Sequence, residues 1–224
     1  GTVMKIAIIG SGIAGLTCAW RLAAQHQVTL FEAASTPGGH TATVDIATPQ
    51  GTWAIDTGFI VYNDRTYPHF IGLLSELGIR GQKTQMSFSV HNPQSGLEYN
   101  GHSLSSLFAQ RRNLLKPAFW GLLREIVRFN RLAKQALGGA FDPAATLQTF
   151  LERHRFSPFF ARHYILPMGA AIWSSSLQEM RRFPLALFLR FFDNHGLLDI
   201  RQRPQWYVVP GGSREYVRAL LDRK

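Results

Sequence analysis

The chain has 224 residues, 46% of them hydrophobic, which is enough to bury one large core or two small ones and excludes a disordered protein. A single cysteine excludes a disulfide framework and a cysteine-based metal site, and no apolar run reaches the roughly 18 residues of a membrane-spanning helix. We therefore expect a soluble cytoplasmic protein, whose net charge of +10 leaves phosphate-bearing partners open.

Residues 4–32 have the pattern of a strand, a glycine-rich turn, a helix and a second strand. Met4 to Ile9 is a short isoleucine-rich run, which predicts a strand buried on both faces of a parallel sheet. The helix after it has an apolar stripe and holds Cys18, which we expect to be a packed core thiol. Val28 to Phe31 is predicted to be the second strand. This order is typical of a Rossmann-like α/β unit.

Three glycines in the turn predict a site for the pyrophosphate of a dinucleotide. Gly10 permits a tight turn, Gly12 lets the backbone approach the ligand, and Gly15 lets the helix pack closely on the strand. The helix N-terminus attracts an anion because its first N–H groups are unpaired. Glu32 ends the second strand, where a carboxylate can accept the ribose hydroxyls and disfavours the 2′-phosphate of NADP. A glycine turn that binds nothing is the alternative.

A second pair of glycines, Gly38-Gly39, follows Glu32 after a short loop. At this point the sequence resembles the flavin-dependent amine oxidase and phytoene desaturase superfamily, which carries a diglycine just after the acidic residue and often has Arg where this chain has His40. The resemblance implies FAD as the cofactor. The FAD-binding set that it implies is Gly10, Gly12, Ile13, Ala14, Gly15, Glu32, Ala33, Gly38, Gly39, His40, Thr57, Gly58, Phe59 and Ile60.

The segment 53–60 resembles the Asp-x-Gly strand end of the same superfamily, which approaches the isoalloxazine ring. Gly58 would then let the flavin lie close to the backbone. For Asp56 a carboxylate that caps a turn is an equally good interpretation.

Residues 64–204 are expected to form a mainly helical substrate or cap domain, inserted between the FAD-domain segments 1–63 and 205–224. A helix over residues 67–77 is predicted to end at Gly78, and residues 86–100 are predicted to form a hairpin. From residue 104 the pattern is helical, with expected breaks at Pro117, Gly138-Gly139, Pro158, Pro167 and Pro184.

One helical region carries much of the positive charge. Its basic residues are Arg111, Arg112, Lys116, Arg124, Arg128, Arg131 and Lys134. Three of these, Arg124, Arg128 and Arg131, are predicted to share one face, opposite an apolar face that includes Ile126 and Val127. Such a helix can lie on an anionic membrane, although a solvated outer face is the simpler interpretation. Nothing in the sequence resembles a nucleic-acid module, and we expect no nucleic-acid partner.

Two segments are candidates for a substrate wall. In the first segment small residues surround Met168 and Trp173, which suits close approach to a flat ring. In the second an apolar helix ends in the polar residues Asp193, Asn194 and His195. His195 is the candidate catalytic proton carrier. Core packing and helix capping are the alternative interpretations, and no metal site is expected.

Residues 206–221 predict a strand, a Pro-Gly-Gly turn and a helix capped by Ser213. In the superfamily this strand and helix return to the FAD domain, and a later Gly-Asp motif follows. Because that motif is not found here, we expect the chain to correspond to the first half of the superfamily pattern.

The resemblance implies an FAD-dependent oxidoreductase in which a substrate C–H, from an amine or an unsaturated lipid or isoprenoid chain, delivers a hydride to flavin N5. Two alternatives stay open. One is an NAD-dependent dehydrogenase, and the other is a non-catalytic fragment that binds a nucleotide or a membrane. The oligomeric state is left open.

Overall fold

The computed structural model describes residues 1–85, 89–92, 97–100, 117–173, 175–199 and 203–222. The chain divides into two compact units, the first made of residues 1–84 and 205–224 and the second of residues 85–204. We expected the insert to begin at residue 64, but residues 64–84 belong to the first unit. They do so because the helix within this stretch buries Phe70, Leu73 and Leu74 in the core of the first unit.

The first unit opens with β1 (Lys5–Ile9), α1 (Ile13–Leu22) and β2 (Gln27–Phe31), and β1 and β2 pair in parallel with Lys5 opposite Gln27 and Ile9 opposite Phe31. The expected burial of β1 on both faces is wrong, because Ile6 and Ile8 are half-buried and Ile9 is 89% exposed. Among the described strands β1 pairs only with β2, and α1 packs on the two strands from one side.

Two further sheets complete the first unit. β3 (Thr43–Thr48) and β4 (Gly51–Asp56) form an antiparallel hairpin. β5 (Tyr62–Asn63) and β6 (Gln82–Thr84) pair antiparallel with opposite edges of β9 (Trp206–Val208), which is the central strand of this sheet.

Helix α2 (Pro68–Glu76) ends as predicted, with Gly78 in the left-handed region at φ 74°. The core of the first unit lies between α1, α2, the β9 sheet and the last helix (Arg214–Asp222). Its buried residues are Leu16, Tyr62, Phe70, Leu73, Leu74, Leu77, Val209, Tyr216, Val217 and Leu220. Cys18 is exposed on α1 rather than packed in this core, so the expectation of a core thiol is wrong.

The second unit contains the hairpin strands β7 (Ser89–Asn92) and β8 (Leu97–Asn100), which pair antiparallel. The rest of the predicted hairpin, and residues 101–116, lie outside the described residues. The helices are α3 (Pro117–Leu137), α4 (Leu147–Arg153), α5 (Pro158–Phe160), α6 (Leu166–Trp173), α7 (Leu177–Arg181) and α8 (Leu185–Asn194).

A π-helical turn (Ala161–Ile165) joins α5 to α6, so the chain stays helical through Pro167 and the expected break there is wrong. Pro167 directly follows this π-turn, in which the Leu166 N–H donates to the Ala161 carbonyl five residues back. The helices enclose a phenylalanine-rich core. Its phenylalanines are Phe119, Phe129, Phe150, Phe160, Phe188 and Phe192. Within the described ranges, no helix combines the length and apolar character needed to cross a bilayer.

Candidate functional site

The glycine turn between β1 and α1 has the geometry that its sequence predicts. Gly10 has φ 96°, and its N–H donates to the Phe31 carbonyl at 2.8 Å, which ties the turn to β2. A Cβ on Gly15 would lie 1.9 Å from the Gly10 carbonyl oxygen, so only glycine lets α1 approach the turn this closely. A Cβ on Gly12, in contrast, would meet nothing within 4 Å. The fold of the described residues therefore leaves space beside Gly12.

Glu32 holds the first glycine turn at the end of β2. One of its carboxylate oxygens accepts the Ser11 N–H at 2.8 Å and the Ser11 hydroxyl, and the other accepts the Ala34 N–H at 2.9 Å. The Ala34 N–H and then the two Ser11 donors lower the pKa of Glu32 to about 2. The carboxylate is thus ionised at physiological pH and, being exposed, is accessible to a further hydrogen-bond donor.

The second pair of glycines packs directly on the first turn. Gly38, at φ 125°, is buried and donates its N–H to the Ser11 carbonyl at 2.9 Å. A Cβ on Gly39, at φ 61°, would lie 2.8 Å from the Cα of Gly12. Both positions require glycine, and together they bring the two glycine-rich loops into contact.

A cavity of about 350 Å³ lies where the two loops meet. Its lining residues are Gly12, Ile13, Gly38, His40, Thr41, Phe59, Tyr67, Phe70 and Tyr216. The N-terminus of α1 is at this cavity, with Gly12 as the N-cap, no side-chain cap and no acidic residue in the first turn. Such a helix end favours an anion. The glycine-lined side therefore suits a phosphate, and the aromatic side suits an apolar or flat group.

The aromatic side of the cavity is a packed cluster. The Phe70 ring meets the Phe59 ring edge-on at 5.2 Å and the Tyr216 ring at 5.4 Å between centroids. The Tyr216 hydroxyl hydrogen-bonds with the Thr41 side chain. Because these groups come from four separate segments, the wall is assembled only when the first unit folds.

Asp56 caps a helix. Its carboxylate accepts the Ser213 N–H at 2.8 Å, the Ser213 hydroxyl at 2.9 Å and the Thr43 hydroxyl at 2.7 Å. Thr43 in turn accepts the N–H of Arg214, the first residue of α9 (Arg214–Asp222), at 3.2 Å. The sequence predicts Ser213 as the cap, but Ser213 donates here and the β3–β4 hairpin supplies the acceptors. These contacts favour the capping interpretation of Asp56.

Gly58 has an intrachain role. A Cβ at this position would lie 1.9 Å from the His40 carbonyl oxygen. The Phe59 N–H donates to that same carbonyl at 3.2 Å, and the Thr57 N–H donates to the Ala42 carbonyl at 2.9 Å. Gly58 therefore lets the strand end lie against the diglycine loop, which is a sufficient reason for glycine here without a ligand.

The other predicted FAD-binding residues divide between the cavity and its surroundings. Ile13, His40 and Phe59 line the cavity, together with Gly12 and Gly38. The remaining predicted residues, Ala14, Ala33, Thr57 and Ile60, are exposed and are not among the residues that line it.

Comparison with known proteins agrees with this geometry. Residues 8–77 match the model of the NAD(P)-binding Rossmann-like domain family. The structure is similar to cyclohexylamine oxidase from Brevibacterium oxydans IH-35A, with 21% identity and a TM-score of 0.67, and to putrescine oxidase bound to putrescine, with 18% identity and a TM-score of 0.63. Each alignment covers 99% of this chain and 49% of the other.

The chain has the fold of these amine oxidases. An oxidoreductase from Methanosarcina mazei shares it as well, with 16% identity, a TM-score of 0.57, and coverage of 97% of this chain and 48% of the other. The chain thus spans about half the length of the solved structures that it matches.

His195 lies in the second unit, just after α8, as the C-cap of that helix. Its ring stacks on Phe191 at 3.8 Å, and its Nδ1 is 2.8 Å from the Phe191 carbonyl oxygen. Burial lowers the pKa of His195, so the ring is neutral at physiological pH. The capping interpretation describes these contacts, and a catalytic role stays a prediction.

The other candidate substrate wall is part of the core of the second unit. Met168 is 1% exposed, and the Trp173 ring packs among phenylalanines, with Phe183 at 4.5 Å and Phe191 at 4.7 Å. A Cβ on Gly169 would lie 2.6 Å from the Met180 side chain. The small residue therefore serves close packing inside the unit, which favours the core-packing interpretation.

Sequence reasoning missed five residues of the site: Ser11, Thr41, Tyr67, Phe70 and Tyr216. Ser11 is fully buried and joins Glu32 to the diglycine loop, a role that its place between two motif glycines could have suggested. For the aromatic residues the sequence pattern indicated only the apolar face of a helix, and it did not indicate a binding site.

Proposed function

We propose that the first unit binds FAD and that the protein is an FAD-dependent oxidoreductase. The observation that carries the proposal is the cavity where the two glycine loops meet, with open space beside Gly12 and an uncapped helix end. A dinucleotide with a flat, largely apolar ring system matches both sides of such a cavity. The similarity to the fold of amine oxidases supports the choice of a flavin.

Individual residues have proposed roles toward FAD. The backbone N–H groups at the start of α1 and in the Gly38-Gly39 loop would hold the pyrophosphate. Glu32, ionised and exposed, would accept the ribose hydroxyls while its Ser11 and Ala34 bonds keep it oriented. Ala14, Ala33, Thr57 and Ile60 would complete the set of FAD contacts.

A bound flavin would supply the redox chemistry, because its N5 can accept a hydride from a substrate C–H. The named substrates of the similar oxidases favour an amine for this protein. An unsaturated lipid or isoprenoid chain is the second candidate. His195 is proposed as the proton carrier, since a neutral imidazole can accept a proton from a substrate ammonium group.

The first test is the visible absorption spectrum of the purified protein, followed by titration of the protein with FAD, FMN and NAD. We expect bound flavin bands at about 370 and 450 nm, and quenching of FAD fluorescence on titration. A colourless protein that binds NAD but does not quench FAD would overturn the proposal in favour of a nicotinamide enzyme.

Two glycine substitutions make the test specific. A Cβ meets nothing within 4 Å at either Gly12 or Gly72, so Gly12→Ala and Gly72→Ala are both compatible with the fold. Of these two glycines, Gly12 lines the cavity and Gly72 does not. Gly12→Ala should therefore weaken FAD binding at least tenfold while Gly72→Ala binds as the parent chain does. Equal binding by both variants would place the dinucleotide elsewhere.

A further inference from the structure

The outer face of α3 in the second unit combines cations with large apolar side chains. Trp120, Arg124, Val127 and Arg131 are all exposed, Trp120 by 49% and Val127 by 48%. They are spaced by four, three and four residues, so they lie along one face of the helix over about 16 Å. The opposite face is buried in the core, through Phe119, Leu122, Ile126, Phe129 and Ala133. We call the four exposed residues the outer stripe.

Among the residues that the structure describes, no acidic side chain pairs with Arg124 or Arg131. Glu125 is the one carboxylate in the helix, and it accepts the Ser157 N–H at 2.8 Å and the Ser157 hydroxyl at 2.5 Å. The Lys134 ammonium, one turn beyond Arg131, is paired with Asp199. Within the described part of the chain, the positive charge of the stripe is therefore that of its two arginines.

Arg128 does not belong to the outer stripe. Its guanidinium donates to the carbonyls of His154 at 2.6 Å and Arg155 at 3.3 Å, just beyond the end of α4. It also lies over the Phe156 ring at 4.0 Å. The prediction that Arg128 shares an outer basic face is thus wrong, and so is the prediction that Val127 lies on the apolar face. The physical reason is that Arg128 satisfies carbonyls left unpaired at a helix end.

We propose that the outer stripe binds the surface of an anionic phospholipid bilayer. The arginines are complementary to the lipid phosphates, and the net charge of +10 draws the whole chain toward a negative surface. Tryptophan prefers the interface between headgroups and acyl chains, where its ring and the Val127 side chain would lose contact with water. Exposed indole and valine side chains distinguish this face from an ordinary solvated one. Duplex nucleic acid would use the cations alone.

The test is binding of the whole chain to vesicles of phosphatidylcholine with 30% phosphatidylglycerol, compared with phosphatidylcholine alone, at 100 mM NaCl. The test variant is Arg124→Gln with Arg131→Gln. The matched control is Arg153→Gln with Arg182→Gln, which removes the same charge from exposed positions of the same unit. Each basic residue at an anionic surface contributes about fivefold in affinity, so the test variant should bind about 30-fold more weakly. The control should bind nearly as the parent chain does.

Trp120→Ala provides a second, charge-neutral arm and should also weaken binding to the anionic vesicles. Circular dichroism melting establishes that each variant is folded. Equal losses for the stripe and control variants would mean that diffuse charge alone attracts the chain, and would overturn the proposal. Failure of the parent chain to bind anionic vesicles would also overturn it, as would stripe-dependent binding to duplex DNA that Trp120→Ala leaves unchanged.

Discussion

Replacing Asp56 by alanine should destabilise the first unit more than any other carboxylate substitution on the β3–β4 hairpin. The side chain accepts three hydrogen bonds, from the Thr43 hydroxyl and from the N–H and hydroxyl of Ser213. Ser213 is 1% exposed, so water cannot easily replace the lost acceptor. The substitution therefore leaves the two Ser213 donors unpaired and removes the carboxylate at the N-terminus of α9, where the Thr43 hydroxyl still accepts the Arg214 N–H.

The size of the effect follows from these contacts. A buried donor left without a partner costs about 1–3 kcal/mol, and loss of a helix N-cap costs about 1 kcal/mol. Allowing for overlap between the two effects, Asp56→Ala should lower the free energy of unfolding by about 3 kcal/mol. With a urea slope near 2 kcal/mol per molar, the unfolding midpoint should fall by about 1.5 M. Asp56→Asn keeps one acceptor oxygen and should show about half of that shift.

Urea unfolding followed by circular dichroism measures the midpoint, and hydrogen exchange of residues 43–56 and 214–222 locates the change. Asp45→Ala is the matched control, because Asp45 is on the same hairpin and pairs with Arg214 of the same helix at 2.5 and 2.9 Å. That pair is more exposed, so its loss should give less than a third of the Asp56→Ala shift. Equal midpoint shifts for the two variants, or unchanged exchange in α9, would refute the capping role of Asp56.

Three further predictions test other parts of the structure. Gly58→Ala should destabilise the first unit by at least about 2 kcal/mol in urea unfolding, because its Cβ would lie 1.9 Å from the His40 carbonyl oxygen; full stability would contradict this packing. The stability that the Glu32 carboxylate contributes should be complete above its ordinary pKa of 4.5 and be lost as the pH falls through about 2. The stability difference from Glu32→Gln should therefore shrink in acid unfolding, and a difference independent of pH would disprove the assignment. Burial raises the pKa of Tyr164 from 10 to about 12, so its contribution should be complete below pH 10 and be lost as the pH rises to 12. Between pH 10 and 12 the free energy of unfolding of the Tyr164→Phe variant should fall by about 2 to 3 kcal/mol less than that of the parent chain. An equal fall in the two proteins would exclude Tyr164 as its source.

Local patterns in the sequence predicted the elements of the first unit well. The Gly10 turn, the parallel pairing of β1 and β2 and the end of α2 at Gly78 follow from short-range backbone conformation. The glycine requirement at Gly15 is also local, because a Cβ there would lie 1.9 Å from the Gly10 carbonyl oxygen.

Other predictions failed because they depended on neighbours that are distant in the chain. The burial of β1 was overestimated because an apolar run does not reveal how many strands will flank it. Cys18 was predicted to be buried in the core, but α1 packs in the core only through its opposite side. The outer face of α3 was predicted to carry Arg128, but the structure places Val127 there. Periodicity alone could not show that Arg128 reaches the carbonyls beyond the end of α4.

The sequence by itself determined the dinucleotide-type unit, because strand, turn glycines, helix and terminal carboxylate interact over short distances along the chain. Only the tertiary structure decided what surrounds that turn. The Asp56 carboxylate meets Ser213 across 157 positions, and Tyr216 meets Thr41 across 175. Contacts of that separation are set by the packing of whole elements and leave no local pattern in the residues that make them. The aromatic wall of the candidate site and the helix cap at Asp56 are therefore products of the fold.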